Sequence, residues 1–135
     1  NRRVRRGTQS LDFNNLSDKV IGAAMKVHTA LGPGLLESAY EACLAYELTK
    51  NEIKVKKQTE CPVNYQGIKI DAGYRIDLLV EDVLILEIKA VEKLLPLHGA
   101  QLLTYLKLSG LKLGLLINFN VTSLKNGLKR IAHHL

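Results

Sequence analysis

Two segments, Tyr74–Val80 and Val83–Ala90, constrain this chain more than any other part of it. Both have strand length and β-forming composition, and only Glu81-Asp82 lies between them, so they read as an antiparallel pair joined by a tight turn. Side chains along a strand alternate with a period of two, so the length of the loop decides which residues share a face. With an odd loop, Ile76, Leu78 and Val80 lie on one face with Leu84, Leu86 and Ile88, while Arg75, Asp77, Glu87 and Lys89 share the other. A two-residue turn would instead push Glu87 and Lys89 into the apolar face, burying charge at a cost of several kcal/mol. A three-residue loop or a bulge is therefore expected.

Around this pair the remaining elements follow from spacing. Ser17 can cap a helix carrying Val20, Ile21, Ala24 and Val27 at helical intervals, stopped by Gly32-Pro33-Gly34. A second helix from about Leu35 to Lys50 has Leu36, Ala39, Tyr40, Cys43, Leu44 and Leu48 on one stripe. Ile53–Lys57, Pro62–Tyr65 and Ile68–Ile70 read as strands of a meander, punctuated by Gln66-Gly67 and Gly73. A third helix runs from about Leu97 to Leu108, Leu113–Asn118 is an apolar strand, and Leu124–His134 reads as a closing helix. The expected order is ααβββββαβα, an α/β or α+β arrangement with helices packed on a mixed sheet.

At 135 residues the chain has room for one core, read here as a domain over 16–135 preceded by a basic arm, 1–15, free to move. The charge of +6 is concentrated in that arm. Removing Arg2, Arg3, Arg5 and Arg6 from the nineteen Lys and Arg leaves fifteen against thirteen Asp and Glu, a net of +2, so net charge is a weak argument for nucleic-acid binding. No apolar run approaches a membrane span, and no apolar stretch follows the arginines, so a cytoplasmic protein without a membrane partner is expected. Cys43 and Cys61 have no zinc-ligand spacing and read as reduced packing residues. A dinucleotide loop is absent, and Gly32-Pro33-Gly34 lacks the Lys-Ser/Thr of a phosphate-binding loop.

Chemistry points to the polar face of the strand pair. Asp77 and Glu87 on adjacent strands, with Lys89 two residues on, supply hard oxygen ligands that suit Mg²⁺ or Mn²⁺. The carboxylates would hold the ion, the Ile88 backbone carbonyl is a natural further ligand, and Lys89 would orient a water or stabilise developing charge. The same spacing also arises in a surface ion pair. Glu37 and Tyr40 lie at i and i+3 after the Gly-Pro-Gly turn, and His98, Gln101 and Tyr105 form a polar stripe opposite Leu102, Leu103 and Leu106.

Taken together, these residues resemble a known family. The run Gly34-Leu35-Leu36-Glu37-Ser38-Ala39-Tyr40 matches the signature of the GxxExxY proteins, which are assigned to the PD-(D/E)xK nuclease superfamily. The match continues through Val27-His28, Tyr74-Arg75-Ile76-Asp77, Leu86-Glu87-Ile88-Lys89-Ala90, His98-x-x-Gln101, Tyr105 and Gly114–Phe119, covering roughly residues 16 to 131. The resemblance implies a restriction-endonuclease-like mixed sheet flanked by helices, with a divalent metal on Asp77 and Glu87 and Lys89 beside it. It implies that Gln101 and Tyr105 correspond to the Q-x-x-x-Y element of RecB-like nucleases, which helps place the nucleic-acid strand. Glu37 would be the additional acidic ligand; RecB-like enzymes often use a histidine in that role, and His28, set back on the first helix, ranks below Glu37.

The leading expectation is therefore a Mg²⁺- or Mn²⁺-dependent nuclease hydrolysing DNA. The alternative is a catalytically silent module of the same fold that binds nucleic acid or a protein. Because no helicase or clamp segment is present, substrate grip would fall to the N-terminal arginines, to Lys54, Lys56 and Lys57, to Arg75, or to a homodimer or larger assembly.

Overall fold

The computed structural model describes residues 2–134, with side chains from residue 13 onward. Helix α1 (Arg2–Leu31) and helix α2 (Glu37–Lys50) precede strands β1 (Val55–Glu60), β2 (Val63–Tyr65), β3 (Ile68–Ile70), β4 (Arg75–Val80) and β5 (Leu84–Lys89). Helix α3 (Pro96–Ser109) leads to β6 (Leu113–Asn118), and a short 3₁₀ turn (Leu124–Gly127) leads to β7 (Leu128–Ala132). The main sheet has the order β1-β4-β5-β6-β7. Its β5–β6 pair is parallel and its other pairs are antiparallel. A parallel pair needs a long crossover, and α3 provides it.

The sheet is a partition between two cores. On one face Leu78, Val80, Leu84, Leu86 and Ile88 pack with Leu115, Ile117 and Phe119 against Val20, Ala24 and Val27 of α1 and Tyr40, Leu44 and Leu48 of α2. On the other, Ile85 and Leu116 pack under Leu102, Tyr105 and Leu106 of α3. At Gly114 an added Cβ would lie 2.8 Å from a Leu102 methyl carbon, so α3 packs onto β6 where glycine leaves room. Mixed sheet, flanking helices and crossover make a restriction-endonuclease-like fold, as expected.

The hairpin register is the one the apolar pattern requires. Leu78 pairs with Leu86 and Val80 with Leu84, leaving three residues between the paired positions. Glu81 and Asp82 both take positive φ, and the Val83 amide donates to the Val80 carbonyl at 3.0 Å, so Val83 is the extra residue beyond the turn.

The structure departs from the sequence expectations at several points. Ser17 lies inside α1, because the apolar stripe starts upstream at Phe13 and Leu16, which pack against the first core. The phosphate contacts foreseen for Arg2, Arg3, Arg5 and Arg6 fall outside the described side chains. Ile76 does not join Leu78 and Val80 but packs with Cys61 and Ile85 on the α3 side. There β4 is released from regular pairing: its ladder with β5 ends at Leu78, and Asp77 is passed over in its ladder with β1.

The closing helix is also replaced, by the 3₁₀ turn and β7. Leu128 and Ile131, three apart, mimic a helical repeat, but on a strand that spacing sends them to opposite faces, one into each core. Gly127 permits the return, since a Cβ there would collide with the Asn118 carbonyl oxygen at 2.1 Å. The β2–β3 hairpin pairs only with itself and leaves Tyr65, Ile68 and Ile70 exposed. No helix among the described residues is long and apolar enough to cross a membrane.

Candidate active site

The open end of the β4–β5 hairpin forms a fork. Beyond the Leu78–Leu86 pair β5 continues with β6 as far as Lys89 opposite Asn118, while β4 turns away. Amides exposed by such a fork need acceptors, and side chains supply them. The Asp77 carboxylate accepts from the Ile88 amide at 2.8 Å, and the Glu87 carboxylate accepts from the Asp77 amide at 3.3 Å. The two residues singled out in the sequence are thus interlocked across the fork. The Lys89 carbonyl faces β6, accepting from the Phe119 amide at 2.9 Å. Alternation along the strand then turns the Ile88 carbonyl, like its amide, into the fork.

Burial sets the electrostatics. Glu87 is only 6% exposed, and its pKa is pushed up to about 8, first by burial and then by the charge of Asp77. Asp77 is also raised, mainly by burial, while its hydrogen bond from Ile88 and the charge of Lys89 oppose the rise. Both shifts favour the neutral forms, so the pair holds a proton to higher pH than ordinary carboxylates do. Half-buried Lys89 lowers the pKa of both acids through its charge; the ion pairs found among the described residues lie elsewhere.

Two helices close on the fork. From α2, exposed Glu37 accepts from the Ala90 amide at 3.2 Å, just past the E-x-K strand. From α3, the Gln101 amide donates to the Tyr105 hydroxyl at 3.2 Å. Burial raises the Tyr105 pKa and the charges of Glu87 and Asp77 add to the rise, while its ring packs in the cluster that holds Ile76 and Ile85. Buried Asn118 holds the chain leaving β5: its side chain accepts from the Val91 amide at 3.0 Å and donates to the Val91 carbonyl at 2.9 Å.

Other candidates have different partners. Tyr40 is fully buried, stacked on Phe119 with centroids 4.5 Å apart; its hydroxyl donates to the Gly32 carbonyl at 2.6 Å and accepts from the Leu35 amide. It braces the turn that delivers Glu37. His28 bonds through Nε2 to the Val121 carbonyl at 2.7 Å, and His98 accepts from the Leu95 amide at 2.9 Å, closing the start of α3. Arg75 is held by Asp71 at 3.2 Å and by the Tyr74 carbonyl. Lys54 and Lys56 both pair with Asp82 in the β4–β5 turn.

The sequence reading missed two residues here. Glu41, one helical turn beyond Glu37, has a raised pKa from burial and from the nearby charge of Asp77. Gln58 donates to both Glu41 oxygens, at 2.9 and 3.1 Å, and to Asp77 at 3.4 Å. Its φ of +49° is left-handed, a conformation costing a non-glycine residue on the order of 1 kcal/mol. The i,i+4 spacing from Glu37 could have revealed Glu41. Gln58 gave no such signal, because its place opposite Asp77 depends on the β1–β4 pairing.

A family model described as the PD-(D/E)XK nuclease superfamily matches residues 14–131. The chain belongs to the PD-(D/E)XK nuclease superfamily. Searches of curated proteins and of solved structures gave no match. The matched span contains the fork, both flanking helices and the Q-x-x-x-Y pair. Members of this superfamily are generally nucleases that use divalent metals, which gives the oxygen-lined fork a chemical context.

Proposed function

We propose that this chain is a Mg²⁺- or Mn²⁺-dependent nuclease that hydrolyses phosphodiester bonds of DNA at the β4–β5 fork. The interlocked Asp77 and Glu87 pair carries the reading: a half-buried and a buried acid with raised pKa values and a backbone carbonyl turned toward the same gap. The donor set is all oxygen, which suits a hard cation. Among the described residues no three His, Cys, Asp or Glu side chains form a complete metal cage. Mg²⁺ does not need one, since it commonly binds through one or two carboxylates and keeps several waters. Asp77, Glu87 and the Ile88 carbonyl would hold the ion, with Glu37 beside them. Bound there, a divalent cation neutralises charge on the scissile phosphate and makes a coordinated water more acidic.

The chain's own groups have separate tasks. Glu87 must give up its proton before it can bind a cation, so activity rises with pH toward the Glu87 pKa of about 8. Lys89, which forms no close ion pair among the described residues, would hydrogen-bond a phosphate oxygen and offset developing charge. Gln101 and Tyr105 form a polar edge where α3 meets the acids and would position the nucleic-acid strand. Incubating the purified chain with plasmid DNA and Mn²⁺ should produce nicked or degraded DNA. Cleavage that persisted in both Asp77→Ala and Lys89→Ala would refute the assignment.

A further inference from the structure

Gln58 interrupts β1 in an unusual way. Its neighbours Lys57 and Thr59 pair with Leu78 and Ile76, but the Gln58–Asp77 position between them is skipped. The backbone there is left-handed, a conformation glycine adopts freely and glutamine does not. What accompanies the strain is a set of side-chain bonds. The Gln58 carboxamide meets three carboxylate oxygens, two from Glu41 and one from Asp77, so its NH₂ end must face them. Asp77 is consequently held from two strands: Oδ2 by the Ile88 amide of β5 and Oδ1 by the Gln58 side chain of β1.

We propose that Gln58 is a positioning residue that orients the Asp77 carboxylate within the fork, and that Glu41 anchors Gln58 for this purpose. The proposal rests on the reading of Asp77 as a cation ligand and adds the device that aims it. Groups that orient a metal ligand are commonly worth about 10- to 100-fold in metal affinity.

Gln58→Gly separates aim from architecture, because glycine suits the left-handed backbone while removing the carboxamide. The variant should melt no lower than the parent, yet bind Mn²⁺ at least about tenfold more weakly by calorimetry. Its Ile88 amide should exchange faster with solvent in the metal-free protein as Asp77 loses its second tether. Glu41→Gln should weaken Mn²⁺ binding in the same direction by less. Should the glycine variant fail to fold, Gln58→Met, of similar length and without a donor, provides the same readings. Unchanged Mn²⁺ affinity in the folded variant would overturn the proposal. If the parent chain itself bound no Mn²⁺, the metal reading would fall, and exchange at the Ile88 amide would alone decide whether Gln58 aims Asp77.

Discussion

At the turn end of the β4–β5 hairpin, Leu78, Leu79 and Val80 pair with Leu86, Ile85 and Leu84 backbone to backbone; at the open end, pairing stops and the carboxylates of Asp77 and Glu87 accept the amides instead. The first end is ladder and apolar packing, with Leu78, Val80, Leu84 and Leu86 wholly buried. The second holds two acids that burial pushes toward their neutral forms. One pair of strands thus anchors the fold at one end and, in the proposed function, holds reactive groups at the other. The costly end is supported by the stable end, by β6 running beside β5 to Lys89, and by the Asn118 clasp on Val91.

Substitutions at the two ends should therefore fail differently. Asp77→Ala and Lys89→Ala should each lower DNA cleavage on the order of 10³-fold or more while the chain still unfolds cooperatively on heating. Loss of folding in both would remove the distinction between the ends. Leu86→Ala should cost about 2–5 kcal/mol in urea denaturation, through the cavity it leaves in the α1/α2 core. Any loss of cleavage should then follow the unfolded fraction.

A smaller effect separates the ends by pH. The folded pKa of Glu87, about 8, lies above its ordinary value of 4.5, so the folded chain binds more protons between those limits. Its stabilising contribution is complete below about pH 4.5 and is lost as pH rises through about 8, by at most about 1.4 kcal/mol per pH unit. The metal-free melting temperature should fall across that window, and Glu87→Gln should flatten the curve and melt higher near its upper end. A parent curve that rises over the same range would contradict burial of this acid.

The turn end was the more legible of the two in sequence. Alternation in Tyr74–Val80, the apolar run of β5 and the cost of burying Glu87 and Lys89 with the leucines were enough to set the three-residue register. That Asp77 and Glu87 meet was readable from the hairpin register, and that Gln101 reaches Tyr105 from their i,i+4 spacing on one helix. What escaped depended on contacts between distant segments. Gln58 lies opposite Asp77 only through the β1–β4 pairing, and Ile76 changes sides where that pairing lapses. The Leu124–His134 segment differs from the expected helix because the three-residue spacing of Leu128 and Ile131 serves one helix face or two strand faces equally well, and only the free edge of β6 decides between them.

Calorimetric titration of the metal-free chain with Mn²⁺, at about pH 6 and about pH 8, tests the central claim most directly. The expected result is one Mn²⁺ per chain, bound more tightly at the higher pH because Glu87 must first lose its proton, and no binding in Asp77→Ala. Absence of binding at both pH values, or equal binding in Asp77→Ala, would contradict it.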